Sequence, residues 1–235
     1  NQDVSKLPHN LTNLTFGYHF NQNVSVLPHN LTHLTFGWCF NKDVSNLPHN
    51  LTHLTFDSRF NQGASKLPHG ITHLTFGSHF NQGVSKLPHN LTHLTFGWYF
   101  NRDISILPPF LTHLTFGHYF NQRYNIPPSI KYLKLNCNNS HIINFLPNSI
   151  IELELDSEFN LEMNDLPTSI KKIVINKKSN YNIDLNCLPD FIEELHLNIK
   201  YEKRILHIPS NLKKIVCNKY YPYINDFATH DVEIY

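Results

Sequence analysis

The chain has 235 residues, a formal net charge of +1 with neutral histidines, and charged side chains at 16% of its positions. Such a balanced composition provides neither the basic field that binds nucleic acid nor a polyanionic segment. No run of about 18 apolar residues predicts a membrane-spanning helix, and no signal-like segment opens the chain.

A Leu-Pro or Ile-Pro pair recurs along the chain, first at steps of 20 residues and later at steps of 19 to 22. The pairs begin at Leu7, Leu27, Leu47, Leu67, Leu87, Leu107, Ile126, Leu146, Leu166, Leu188 and Ile208. A short fixed period is the signature of a solenoid, in which each unit is one coil stacked on the next. We therefore predict one solenoid over residues 1–221, regular over 1–122 and degenerate over 123–221.

Within each unit the apolar residues keep fixed places, which in the first unit are Val4, Leu7, Leu11, Leu14, Phe16 and Phe20. The spacing L-x-x-L-x-F predicts a short strand with one buried side. Twenty residues leave no room for a full helix as well, so extended or 3₁₀ backbone is predicted for the rest of each coil.

Three further columns predict how the coils turn and stack. Position 17 holds only Gly, Asn or Asp, from Gly17 to Asn218, and these residues tolerate a positive φ, so a sharp left-handed turn is predicted after every strand. The proline of each pair fixes φ on the way into the strand. An asparagine column should form a buried ladder of hydrogen bonds between coils: Asn21, Asn41, Asn61, Asn81, Asn101 and Asn121.

The L-x-x-L-x-(L/F) core resembles the leucine-rich repeat. More narrowly, LPHNLTHLTFGWYFNQ and its copies resemble the FNIP repeat of social amoebae and giant DNA viruses, strongly over residues 1–122 and weakly in IPPSIKYLKLN, LPNSIIELELDSEFN and LPTSIKKIVIN. One departure is that the asparagine of the leucine-rich motif is replaced at His19 and its equivalents, and the asparagine column lies two places later.

The resemblance implies a mainly β repeat solenoid, a right-handed coil of about eleven short units with a concave parallel β-sheet. It also implies a non-enzymatic scaffold whose concave face recognises a protein partner. Because FNIP repeats commonly follow an F-box, the chain could be the substrate-recognition part of an F-box-type ubiquitin ligase adaptor.

The outward strand positions form the predicted binding surface, which is made of Thr and His in the regular units and of alternating basic and acidic side chains in the degenerate ones. Its residues are Thr12, Thr15, Thr32, His33, Thr35, Thr52, His53, Thr55, Thr72, His73, Thr75, Thr92, His93, Thr95, Thr112, His113, Thr115, Tyr132, Lys134, Glu152, Glu154, Lys172, Glu194, His196 and Lys214.

The stacked histidines of this surface allow two interpretations. They could bind a metal ion or sense pH, or they could form a neutral, mutually hydrogen-bonded ladder that keeps the sheet polar. We favour the ladder, with no metal or cofactor, because a straight column offers poor angles for tetrahedral zinc. The ladder should be less stable at acid pH. A second column is predicted to hydrogen-bond its own backbone in turns: His9, His29, His49, His69 and His89.

The charged rungs of the degenerate units also leave two possibilities open. Their signs alternate from Lys131 to Lys214, which predicts lateral ion pairs between neighbouring strands. We favour a self-neutralising ladder over a mixed-charge docking patch.

No motif of a known catalytic or phosphate-binding type is present, so an enzyme is not predicted. The four cysteines show no metal or disulfide spacing, and we expect free thiols in a reducing compartment, the host cytoplasm, rather than a secreted protein. Two alternatives remain: a structural, self-assembling component, for example of a giant-virus particle, or a carbohydrate- or ice-facing surface.

The ends of the chain carry three expectations. The chain starts within a repeat at Asn1 and is expected to be a piece of a longer protein. Its N-terminal coil has no evident cap, so self-association is expected there. Residues 222–235 should form a cap strand through Val232 and Ile234.

Overall fold

The computed structural model describes residues 4–228 and 233–234, which belong to two compact units, residues 1–122 and 123–235. Each unit is a parallel β-solenoid, and the two together contain about eleven coils. The predicted fold class is therefore confirmed, whereas the handedness of the coil and the concave shape of the sheet stay predictions.

The first unit begins with a 3₁₀ turn at Val4–Lys6 and then places one strand in each coil. Neighbouring strands pair in parallel with a shift of one repeat, so His53 lies beside His33 and His73. The strands are β1 (Asn13–Thr15), β2 (His33–Phe36), β3 (His53–Phe56), β4 (His73–Thr75), β5 (His93–Thr95) and β6 (His113–Phe116).

The second unit follows the same plan and ends with a 3₁₀ turn, Ile224–Phe227. Its strands are β7 (Tyr132–Leu135), β8 (Glu152–Leu155), β9 (Lys172–Ile175), β10 (Glu194–His196), β11 (Lys214–Val216) and β12 (Glu233–Ile234). Strand β12 pairs in parallel with β11, which is the added strand that the sequence predicts, while Val232 lies outside the described residues.

One coil departs from the predicted extended or 3₁₀ backbone, because it contains a short helix, α1 (Ser140–Asn144). Asn139 caps the helix, since its side chain accepts a hydrogen bond from the backbone amide of Ile142. The helix buries Ile142 and Ile143. Two consecutive buried side chains do not fit an extended backbone, whose side chains alternate between its two sides, and this accounts for the wrong prediction.

The core of the first unit is a double column of phenylalanine rings. In the third coil, for example, Phe56 stacks on Phe60 at 3.7 Å and on Phe36 of the preceding coil at 5.4 Å. The second unit has Leu135, Leu155 and Ile175 at the Phe56 position. In the first coil Phe16 is only half-buried, whereas its equivalents in the other coils of the first unit are buried.

The left-handed turn predicted at position 17 is wrong for the glycines, since none of them adopts a positive φ. Position 17 is instead the first residue of a turn closed by a bond such as Phe40 N–H to the Gly37 carbonyl, a place that Asp and Asn favour. Glycine is needed where the coils pack closely, because a Cβ on Gly97 would lie 2.1 Å from the Gly77 carbonyl oxygen.

The asparagine ladder forms as the sequence predicts, with each side-chain oxygen accepting from the backbone amide of the next asparagine. The N–O distance is 3.0 Å from Asn61 to Asn41 and 2.9 Å from Asn81 to Asn61. The ladder is not buried, however, since Asn41 is exposed and Asn61 is half-buried. Its role is to hold the coils in register at the surface.

Candidate functional site

The outward face of the first unit carries a row of five stacked imidazoles, called the histidine row below. Its ring centroids are 4.2, 4.1, 4.0 and 3.8 Å apart, and neighbouring rings are inclined by 12° to 16°. The row exists because parallel pairing with a one-repeat shift places the same position of each coil side by side. Its members are His33, His53, His73, His93 and His113.

Each imidazole of the row is oriented by the threonine that precedes it rather than by another histidine. Thr72 Oγ1 lies 2.9 Å from His73 Nδ1 and also donates to the carbonyl of Thr52 at 3.2 Å. The same pair of bonds repeats at Thr32, Thr52, Thr92 and Thr112. The predicted ladder of hydrogen-bonding side chains is therefore present, and its bonds join threonine to histidine.

Each threonine hydroxyl has a single proton to donate. Thr72 Oγ1 lies 2.9 Å from His73 Nδ1 and 3.2 Å from the Thr52 carbonyl, which also accepts from the backbone amides of Thr72 and His73. The contact with Nδ1 orients the ring, and in the charged imidazole both ring nitrogens are donors.

The environment disfavours the charged form of the row. Burial first, and then repulsion from neighbouring imidazoles, hold the pKa of His53, His73 and His93 below the ordinary value of 6.5. The pKa of His113 is lowered for the same two reasons, in the same order. These four imidazoles are therefore mostly neutral at pH 7.

A metal ion has no evident place in the described part of the chain. Residues 4–228 and 233–234 contain no group of three or more His, Cys, Asp or Glu side chains that could hold one. In the histidine row the rings stack nearly parallel, so the Nε2 atoms lie side by side rather than converging on one point as a tetrahedral shell requires.

A second outward row runs beside the first and consists of Thr35, Thr55, Thr75, Thr95 and Thr115, called the threonine row below. These residues are half-buried on the strands. Among the described residues, none offers a hydrogen-bond partner to their hydroxyl groups, which are therefore available to a ligand. Thr15 continues this row in the first coil and is exposed. Thr12 lies just before β1 and is exposed.

The threonine row borders a shallow groove of about 530 Å³ that the sequence did not predict. Glycines 37 and 77 lie in its lining, and Tyr18 and Trp38 stand along it with their rings stacked 5.7 Å apart. Trp38 is 37% exposed. The signal in the sequence was an aromatic residue directly after the position-17 glycine, and it recurs at Trp98.

The second histidine column lines a recess of about 350 Å³ through His9, His29 and His49. The prediction that these rings bond their own backbone is wrong in the described part of the chain. The backbone carbonyls are used instead, since Asn50 Nδ2 donates to the carbonyl of His29 at 2.9 Å. The rings of His29 and His49 are exposed.

In the second unit the outward face is ionic, and the predicted ladder of lateral ion pairs is confirmed. Lys134 Nζ lies 2.7 Å from Glu154 and 3.1 Å from Asp156. Burial opposes the charge of Lys134, but the bonds to these two carboxylates outweigh it and raise its pKa. Further pairs join Lys172 to Glu152 and Glu194, Lys171 and Lys213 to Glu193, Lys214 to Glu194, and His196 to Glu194.

Two solved structures show the class of protein that this fold defines. CroV588, a circular leucine-rich-repeat protein from a giant virus, superposes with a TM-score of 0.67 and 36% identity over 93% of this chain. Internalin InlF of Listeria monocytogenes superposes with a TM-score of 0.53 over 97% of this chain and 83% of its own, and its 14% identity shows likeness of fold alone. The chain is a solenoid of the leucine-rich-repeat type.

The family model of the FNIP repeat matches residues 3–39, 83–117 and 120–158. These matches confirm the FNIP repeats that the sequence predicts. It spans 38% of the length of CroV588. A search of curated proteins found no match.

Proposed function

We propose that the chain is a non-enzymatic protein-interaction scaffold whose outward strand face binds a protein partner. The observation that carries this proposal is the threonine row, whose unbonded hydroxyls lie beside a groove with exposed aromatic rings on one side. Exposed Trp and Tyr beside hydrogen-bonding groups are the composition of protein-binding hot spots. The leucine-rich-repeat fold supports the same conclusion, because repeats create extended surfaces for partners.

The scaffold could serve as the substrate-recognition part of an F-box-type ubiquitin ligase adaptor, and the FNIP repeats support this. We also propose an intracellular location. It is supported by four cysteines that remain free thiols, Cys39, Cys137, Cys187 and Cys217, because reducing compartments keep thiols unpaired.

In the described residues, no helix has both the length and the hydropathy needed to cross a membrane.

A self-assembling structural component is the second candidate function. It is supported by the solenoid fold, because the strand backbone and apolar face that one coil offers to the next can also pair with a coil of another chain. Sedimentation of the chain over a range of concentrations tests this candidate, which predicts oligomers.

The scaffold proposal is tested by adding charge to the threonine row. A variant with Thr35→Glu, Thr75→Glu and Thr95→Glu should lose partners that the native chain captures in proximity labelling and reciprocal co-purification. The matched control is Ser25→Glu, Ser65→Glu and Ser85→Glu, which adds the same charge to exposed positions of the same coils. Capture that is unchanged in the first variant, or lost equally in both, would refute the proposal. Ubiquitylation of a captured partner on co-expression then tests the adaptor.

A further inference from the structure

The proposed scaffold function does not explain why so many titratable side chains lie together in the histidine row. Residues 1–122 hold 13 of the 17 histidines, with six Lys or Arg, four Asp and no Glu. Protonation would therefore turn a nearly neutral unit strongly positive. The second unit has 13 Lys or Arg, 14 Asp or Glu and only four histidines, so its charge changes little over the same pH range.

We propose that the histidine row takes up protons in mildly acidic solution and then binds an acidic, extended segment of a partner protein. This inference rests on the proposed scaffold function and names the chemistry of the partner. The ligand supplies the negative charge that the row lacks, so that binding and protonation favour each other.

The strands β1 to β6 supply no carboxylate at their outward positions, which hold only Asn, His and Thr. On these strands, the titratable groups that face His53, His73 and His93 are therefore other imidazoles. Beyond the strand in the third coil are Asp57, whose Oδ1 accepts from the backbone amide of Ser58 at 2.6 Å, and Arg59. A protonated imidazole of the row can therefore donate a hydrogen bond to a carboxylate of a partner protein.

The geometry of each imidazole suits this exchange. The contact between Thr72 Oγ1 and Nδ1 of His73 orients the ring, and a protonated imidazole carries a donor on Nε2 as well as on Nδ1. An Nε2–H cation is a strong donor to a carboxylate. The unbonded hydroxyls of the neighbouring threonine row offer a second line of donors along the same segment.

The spacing of the row selects an extended ligand. Rings 3.8 to 4.2 Å apart repel one another when both are charged, so alternate rings should protonate first. Consecutive centroid distances of 4.2 and 4.1 Å place alternate rings about 8 Å apart. A polyproline II segment returns every third side chain to the same side after about 9.3 Å, and the rotatable side chain of an aspartate accommodates the difference. A segment with a carboxylate at every third residue therefore suits the row.

Nucleic acid matches the row less well. Its binding draws on Lys and Arg that neutralise phosphates at neutral pH, and no outward position of β1 to β6 carries either residue. An acidic peptide therefore remains the ligand that the observations favour.

The test uses the full chain and a labelled twelve-residue peptide, four repeats of Asp-Ser-Ser, at pH 7.5 and 5.5 and low salt. Far-UV circular dichroism checks that the chain is folded at both pH values. We expect binding at least about tenfold tighter at pH 5.5, because each proton taken up on binding tightens it up to about tenfold per pH unit. Calorimetry in two buffers of different ionisation enthalpy should show uptake of one to about two protons per bound peptide.

Matched variants locate the binding. The first variant carries His53→Asn, His73→Asn and His93→Asn. Asparagine already occupies the equivalent position of the first coil, at Asn13, and this variant should lose the tighter peptide binding at pH 5.5. The control variant carries His49→Asn, His69→Asn and His89→Asn, which remove three exposed imidazoles from the same coils, and it should keep most of the tighter binding.

Four results would overturn the inference: equal losses in the two variants, no binding at pH 5.5, binding without proton uptake, or tighter binding of oligodeoxythymidine than of the peptide. The scaffold proposal fails separately, through the threonine-row variants tested with a captured partner at neutral pH.

Discussion

The two units keep the outward face of a parallel strand stack polar by opposite means. The first uses neutral side chains, with each imidazole bonded to a threonine such as Thr72. The second uses ions, with lysines beside carboxylates of a neighbouring coil, as Lys134 is beside Glu154. A coil of about 20 residues can therefore carry either a neutral or an ionic outward face.

The two surfaces respond to different solution conditions, the first to pH and the second to salt. A neutral imidazole row is insensitive to salt but gains charge as the pH falls, whereas exposed ion pairs are screened by salt. The interiors differ as well, because stacked rings fill the first unit and mainly aliphatic side chains occupy the Phe56 position in the second. Substitutions in each unit test these differences.

The largest effect is expected in the aromatic core. Phe56→Ala should lower the free energy of unfolding by about 3–5 kcal/mol, because it empties a buried site between Phe36, Phe60 and Phe76. Urea denaturation followed by circular dichroism measures the change. Phe56→Leu, the residue type that Leu155 provides in the second unit, should cost less. The exposed Phe110→Ala is the control, and an equal loss there would contradict the stacked-core interpretation.

The next effect concerns the close packing of glycines that distinguishes the first unit. Gly97→Ala should destabilise the chain by about 1–3 kcal/mol, because the added Cβ meets the Gly77 carbonyl oxygen. Gly83→Ala has nothing within 4 Å of its Cβ and no positive φ, so thermal melting should show no loss or a small gain. Equal behaviour of the two variants would mean that coil contact does not select glycine at position 97.

A third effect separates the units by pH. The folded-state pKa of His53, His73, His93 and His113 lies below the unfolded value, so the unfolded chain binds more protons as the pH falls below about 6.5. Stability is complete above that pH and is lost on acidification toward the folded pKa. Calorimetric melting at pH 7.5 and 5.0 should show a fall of a few degrees, about 2–4 °C for each kcal/mol lost.

The same measurement on a variant of the row shows whether the row is the source. With His53→Asn, His73→Asn and His93→Asn, the acid-induced fall in melting temperature should shrink. A native-sized fall in that variant would assign the pH dependence elsewhere in the chain.

Much of this structure could be predicted because a residue column of the repeat occupies the same place in every coil. The columns of Leu11, Leu14 and Phe16 placed the strands, the core and the stacked histidines, since a one-repeat shift is the pairing that superimposes them. Contacts that depend on three-dimensional detail could not be predicted. Glycine at position 17 suggested a positive φ, and only the distance to the carbonyl of the preceding coil showed that close packing is the reason.

The candidate site was predicted in position but not in chemistry. The sequence placed the histidines in one row, but it did not show that the hydroxyls of Thr72 and its equivalents contact both the imidazole and a carbonyl that lies 20 residues earlier in the chain. The groove beside Trp38 was missed because its lining comes from several coils and contains glycines, which carry no side-chain signal. Helix α1 was missed because it occurs in a single coil and therefore has no period.

The smallest expected effect is in the ionic ladder. Glu154→Gln removes the charge opposite Lys134, whose side chain is 30% exposed, so the loss should be at most about 1 kcal/mol and should fall further in 1 M NaCl. The matched change in the first unit is Thr72→Val, which deletes bonds to the Thr52 carbonyl and to His73 and should cost about 1 kcal/mol whatever the salt. Urea denaturation at low and high salt measures both. Equal salt dependence in the two variants would remove the distinction between a neutral and an ionic face, whereas salt dependence confined to Glu154→Gln would show that screening acts on the second unit alone.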